Sequence, residues 1–171
     1  MTVYRKNATQ VTVALNTEII KKYLANQNKP DIRKTHLFGG RYENIYLTEK
    51  HISALTPLID EAIKLASDIL DIKNLRAGYW FNYMPPGSTT TVHSHDDYDE
   101  LLSAVYYLSV PKNSGNLIVH HCTQSNHEEI IEIIPHVGEF IFFKPDIRHE
   151  VTKNESTEHR LSIGINFGPS N

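Results

Sequence analysis

Apolar positions along this chain recur with two periods, and the change from one to the other falls near its middle. In the first half, helical spacing is clearest at Leu58, Ile59, Ala62, Ile63, Ala66, Ile69 and Leu70, which form one stripe. Thr56-Pro57 opens that helix, with Pro57 suited to its first turn, and the stripe is read as core packing. Upstream, residues 8–15 read as a short strand, and Asn16 as the N-cap of a helix over residues 18–25. Residues 26–34 form a polar connection, and Gly39-Gly40 marks a turn or a close backbone approach.

From Tyr79 onward the period is two. Strands are predicted over residues 79–84, 89–95, 101–110, 117–121 and 130–134, with turns at Pro85-Pro86-Gly87 and at residues 111–115. Residues 138–149 are an apolar run that ends in a turn and delivers His149. Residues 160–167 alternate cleanly, with Arg160, Ser162, Gly164 and Asn166 on one face and Leu161, Ile163, Ile165 and Phe167 on the other. A polar inner face and an apolar outer face suit a small barrel or sandwich with a ligand inside. Helices followed by six or seven strands predict an α+β fold with an antiparallel barrel or jelly roll. The expected organisation is a single domain over residues 1–171, with a mostly helical support region over 1–75 and the β core over 76–171.

Composition narrows the function classes. Of 171 residues, 40% are hydrophobic and 22% charged, ordinary values for a globular protein. A formal net charge of -3 gives no electrostatic reason to expect a nucleic-acid partner. No apolar run reaches membrane-spanning length, and residues 1–6 contain no signal-peptide core, so no membrane partner is expected. The single cysteine, Cys122, excludes an internal disulfide framework and fits a reducing, cytoplasmic compartment. The unusual count is ten histidines.

The densest ligand cluster is His93-Ser94-His95-Asp96-Asp97. Residues two apart on a strand point the same way, so His93, His95 and Asp97 can share the interior face. With His149 they offer imidazoles and a carboxylate, a set that suits non-haem Fe(II) in an oxygenase. His36, His51, His120, His121, His127, His136 and His159 lack such company and are read as structural or exposed. Arg160 on an interior strand would be costly without an anion, and a planar guanidinium holds a carboxylate bidentately. Ser162, on the same face, can add a hydroxyl.

These segments together resemble the Fe(II)- and 2-oxoglutarate-dependent oxygenases, built on a double-stranded β-helix, and are most similar to a group of small members. Residues 80–87 with His93-Ser94-His95 and residues 102–108 look like the first metal-binding segment of that family. Residues 138–149 with Arg160-Leu161-Ser162 look like the second. The resemblance spans residues 80–167, about half the chain. It implies a jelly-roll, cupin-like barrel with the N-terminal helices packed on it. It also implies an oxidoreductase with Fe(II) and 2-oxoglutarate as cofactors, a dioxygenase that hydroxylates a small-molecule or amino-acid-type substrate. Arg160, Ser162 and Tyr107 would bind the co-substrate, while Asn82 and Tyr83 would line the substrate wall. A homodimer is compatible with this reading.

Two ligand sets fit. His95, Asp97 and His149 follow the family's His-x-Asp pattern, and a carboxylate suits the charge of Fe(II). Aligning Gly87 with the glycine that often precedes the first ligand gives His93, His95 and His149 instead. The first set is preferred. A cupin is the alternative: Gly87-x5-His93-x-His95-x4-Glu100 resembles its first motif. It would place Glu100 among the ligands and use no 2-oxoglutarate, but it leaves Arg160 without a role and lacks the glycine expected after Glu100. A metal-free binding or structural jelly roll is a third reading.

Overall fold

The computed structural model describes residues 3–95, 98–122 and 128–170. Thr12 caps the first helix, accepting from the Leu15 backbone N–H at 3.1 Å, and α1 runs over Val13–Asn26. It follows a short strand, β1 (Val3–Asn7). The expected strand over residues 8–15 and the cap at Asn16 are therefore corrected. Thr12 offers the same capping oxygen four residues earlier. Asn16 instead points inward from the helix, where Nδ2 donates to the Leu108 carbonyl at 2.8 Å and Oδ1 accepts from the Tyr106 hydroxyl at 3.0 Å.

Gly39 and Gly40, both at positive φ (57° and 78°), close a two-residue turn between β2 (Arg33–Phe38) and β3 (Arg41–Tyr46). The first 75 residues thus supply three strands besides their helices. The apolar stripe forms α2 (Leu55–Leu70), with Leu58, Ile59, Ala62 and Ala66 buried. The remaining strands are β4 (Leu75–Met84), β5 (Thr90–His93), β6 (Leu102–Ser109), β7 (Leu117–Cys122), β8 (Glu128–Ile133), β9 (Glu139–Phe143), β10 (Arg148–Val151) and β11 (Arg160–Pro169). β4 to β9 and β11 follow the predicted strand segments to within a few residues, whereas β10 is an additional short strand after the turn that delivers His149.

The strands form two antiparallel sheets, one of seven in the order β1-β9-β6-β11-β4-β3-β2 and one of four in the order β5-β10-β7-β8. This is the jelly roll that the alternation predicts, with helices on the outer face of the larger sheet. β11 lies between β6 and β4 and shows why. Leu161, Ile163, Ile165 and Phe167 are each at most 2% exposed and pack with Leu58, Ala62 and Ile19 from the two helices. Each such side chain contributes roughly 1.5–3 kcal/mol of burial. The opposite face of β11 turns toward the smaller sheet, where Tyr107, Val119, Ile141 and Phe143 form a second apolar cluster. The space between the sheets beside that cluster holds the polar residues. Among the described residues, no helix is long and apolar enough to cross a membrane.

Candidate metal centre

β5 and β10 are antiparallel neighbours, and His93 lies directly opposite His149 in their register. Facing residues on one side of such a pair bring their side chains together. Just beyond β5, the His95 N–H donates to the Pro145 carbonyl at 2.7 Å, which ties this segment to the turn leading into β10. The possible ligand atoms of His93, His95 and His149 consequently all lie within 4.8 Å of one another. Their ring centroids are 4.3 to 4.9 Å apart.

Two of the rings have defined tautomers. His93 Nδ1 lies 2.6 Å from the Thr91 carbonyl, and His149 Nδ1 lies 3.0 Å from the Ile147 carbonyl. A carbonyl only accepts, so each Nδ1 carries the proton and each Nε2 presents a lone pair. That arrangement orients metal-ligating histidines. His149 is 6% exposed and packs on Phe143 at 4.6 Å. Burial, followed by the fields of His93 and His95, pushes its pKa down to about 3, so the ring stays neutral.

Asp97, in the preferred ligand set, lies outside the described residues. The described histidines match the alternative set with His93. Glu100 is not in the group that could hold a metal. It lines the outer pocket and accepts from the Tyr98 N–H at 3.1 Å. His120 sits within β7 and pairs with Glu150 at 2.9 Å.

Behind the histidines, the cavity between the sheets is lined by Asn82, Tyr107, Arg160 and Ser162. Arg160 is 1% exposed. Its Nη1 touches Met84 Sδ at 3.3 Å, and its Cζ lies 5.2 Å from the centre of the Tyr107 ring. Arg160 Nε and the Tyr107 hydroxyl are both buried without a hydrogen-bond partner. Burial lowers the Arg160 pKa, and burial pushes the Tyr107 hydroxyl up to about 12 against the opposing field of Arg160. A buried guanidinium with an unpartnered Nε beside a buried, unpartnered hydroxyl is an arrangement that could hold a carboxylate. Ser162 is 4% exposed on the same face. Tyr106, one residue away, points to the helices.

Asn82 lines the cavity, with Oδ1 accepting from Arg41 at 2.9 Å and Nδ2 donating to Thr90 Oγ1 at 2.9 Å. Tyr83, expected on the substrate wall, is not in the lining of either cavity. Period two turns it to the helix side, where it stacks on His159 at 4.5 Å and meets Tyr23 edge-on. The sequence reading assigned no role to Arg41, Glu43 or Thr91, which surround the start of β5. The available signal was Arg41-x-Glu43, two opposite charges on one strand face immediately after a Gly-Gly turn.

On the outer side of His93 and His95 lies a second cavity of about 300 Å³, lined by Tyr46, Trp80, Tyr98, Glu100 and Asn166. Trp80 borders both cavities and lies 5.2 Å from the His95 ring. Gly164 permits this position, because a Cβ there would fall 2.5 Å from the indole. A larger depression beside residues 110–116 is an open surface feature, with none of these histidines in it.

The chain is similar in fold to several solved oxygenases. A prolyl-4-hydroxylase from Pseudomonas putida superposes with a TM-score of 0.73 at 17% identity, covering 97% of this chain and 92% of that one. The α-ketoglutarate-dependent epimerase SnoN from nogalamycin biosynthesis gives 0.74 at 14% identity, covering 98% and 77%. A prolyl hydroxylase from Trichoplax adhaerens, in complex with a hypoxia inducible factor peptide fragment, gives 0.71 at 15% identity, covering 97% and 83%. No curated protein matches the chain in sequence. The family described as "Putative 2OG-Fe(II) oxygenase" matches residues 78–166, just over half the chain, from within β4 through most of β11. The chain therefore belongs to the 2OG-Fe(II) oxygenase family, and is an oxidoreductase whose cofactors are Fe(II) and 2-oxoglutarate.

Proposed function

We propose that His93, His95 and His149 hold the iron, that Arg160 with Ser162 and Tyr107 holds the distal carboxylate of 2-oxoglutarate, and that the outer cavity takes the substrate to be oxidised. The convergence of the three histidines in front of a buried guanidinium whose Nε lacks a partner carries this reading. Iron and 2-oxoglutarate, when bound, would supply the oxidising chemistry with O2 as the oxidant: one oxygen atom would enter succinate as the co-substrate loses CO2, and the other would enter a substrate C–H bond as a hydroxyl.

The protein's own residues bind, orient and exclude water. The Thr91 and Ile147 carbonyls fix the protons on His93 and His149, keeping both Nε2 atoms available. The Arg160 cation gives the co-substrate one orientation, because no other cation lines that cavity among the described residues. Three neutral imidazoles leave the full metal charge to meet a dianionic co-substrate. Trp80, against His95, separates the inner cavity from the outer one. An outer cavity of about 300 Å³ supports a small-molecule or amino-acid-type substrate. The single cysteine supports a cytoplasmic location.

The ligand set is tested by anaerobic Fe(II) titration of His93→Ala and Asp97→Ala. His93→Ala is expected to lose tight binding and Asp97→Ala to keep it, and the reverse would restore the set with Asp97. Succinate release across a metabolite panel identifies the substrate. A cupin without 2-oxoglutarate would release none with any compound.

A further inference from the structure

We infer that Glu43 and Arg41 on β3 are positioning residues for the iron site, acting through Thr91 on the ring of His93; this rests on the assignment of His93 as a ligand. β5 needs such a brace. It is a four-residue edge strand that, among the described residues, pairs only with β10, and that ladder breaks register between His149 and Val151. A short, irregular edge ladder specifies a strand's position weakly. β3 belongs to the other sheet and shares no ladder with β5, so side chains make the connection.

Residues 41 and 43 point to the same face of β3. Glu43, 5% exposed, grips Thr91 with both oxygens: one accepts from the backbone N–H at 3.0 Å and the other from Oγ1 at 2.9 Å. Arg41 donates through Nη2 to the Thr89 carbonyl at 2.7 Å and through Nη1 to Asn82 Oδ1 at 2.9 Å. Its Nη2 lies 3.7 Å from Glu43, which compensates both buried charges. Thr91, held in this way, presents the carbonyl that accepts the His93 Nδ1 proton at 2.6 Å. Hydrogen-bond donors are thus anchored one after another from β3 to the imidazole. Outer partners of this kind typically set metal affinity by about 10–100-fold.

The protein contains its own control. Glu61 on α2 makes the same two-oxygen grip on Thr9 and Gln10, far from the histidines along the chain and in no cavity with them. Metal-free protein is titrated anaerobically with Co(II), read by its visible absorption, in wild type, Glu43→Ala, Glu43→Gln, Glu61→Ala and His93→Ala. Glu43→Ala should bind Co(II) about 10–100-fold more weakly with an altered spectrum, and Glu43→Gln should recover most of the affinity. Glu61→Ala should lower the melting temperature while leaving Co(II) affinity and spectrum at wild-type values. Unchanged binding in Glu43→Ala, or equal weakening in Glu61→Ala, overturns the brace. If wild type binds no Co(II), or His93→Ala binds it as well as wild type, the assignment of His93 to the iron site fails, and the brace fails with it. If Glu43→Ala does not fold, Thr91→Val removes one of the two grips and should weaken binding severalfold; unchanged affinity there also overturns the proposal.

Discussion

Replacing Arg160 with methionine separates co-substrate recognition from both metal binding and folding. The guanidinium is buried, with Nε unpartnered and Nη1 resting on Met84 Sδ. A methionine fills similar space beside Met84 and the Tyr107 ring. In the absence of 2-oxoglutarate, the change removes a buried cation that has no carboxylate partner among the described residues, so stability should hold or rise. With 2-oxoglutarate, it removes a charge pair whose truncation costs about 2–5 kcal/mol. Taking about 3 kcal/mol, at 1.4 kcal/mol per tenfold, co-substrate affinity should fall about 100-fold. Linkage makes this visible in a melt. At a 2-oxoglutarate concentration of about 100 Kd the wild type gains about 2.7 kcal/mol, whereas the variant at the same concentration, near its own Kd, gains about 0.4 kcal/mol. The assay is anaerobic titration of the Fe(II)-loaded protein with 2-oxoglutarate, followed by the visible charge-transfer band and paired with thermal melts. Retained affinity in Arg160→Met, or a parallel loss of Fe(II) binding, would refute the reasoning.

Other outcomes follow from particular contacts. In the metal-free protein, His149 has a folded pKa near 3, below its ordinary value of 6.5, because of burial and then the neighbouring histidines. The unfolded chain therefore binds more protons between those values, so stability should be complete above about pH 6.5 and fall as pH drops toward 3. Urea unfolding at several pH values should show a flatter profile for His149→Gln, and an equally steep one would contradict the burial argument. Gly164→Ala places a methyl group 2.5 Å from the Trp80 ring, which should cost about 1–3 kcal/mol. Because Trp80 is the only tryptophan, a shifted emission spectrum should accompany the lower melting temperature, and an unchanged spectrum would refute the contact. Ile163→Ala, at a fully buried position under the helices, should lose about 2–5 kcal/mol in denaturant unfolding without changing 2-oxoglutarate affinity in the folded fraction.

The β core was legible because burial on one side of each strand writes period two directly into the sequence. β11 is the clearest instance: its alternation separates Arg160 and Ser162 from Leu161 and Ile163, and the structure places those two sets on opposite faces. Tyr107 enters through the family resemblance, and the same rule then separates it from its neighbour: Tyr107 lines the cavity and Tyr106 lies in the core. It also counted against Tyr83, since Asn82 and Tyr83 are adjacent and cannot share a face. The start of the chain was harder to read. Thr12 and Asn16 are both competent caps, and only the distant Leu108 carbonyl and Tyr106 hydroxyl decide between them. Which histidine stands opposite His149 depends on the register of β5 against β10, a pairing across more than fifty residues that no local pattern encodes. The Glu43–Thr91 grip escaped for the same reason, because it joins strands of different sheets.

The most direct test is a crystal soaked anaerobically with Fe(II) and 2-oxoglutarate, with anomalous scattering measured at the iron edge. One peak is expected, about 2.1 Å from Nε2 of His93, His95 and His149, a distance typical of metal–imidazole bonds, with the co-substrate's distal carboxylate on Arg160. Iron bound through Asp97 in place of His93, or a carboxylate that leaves Arg160 unpaired, would contradict the account.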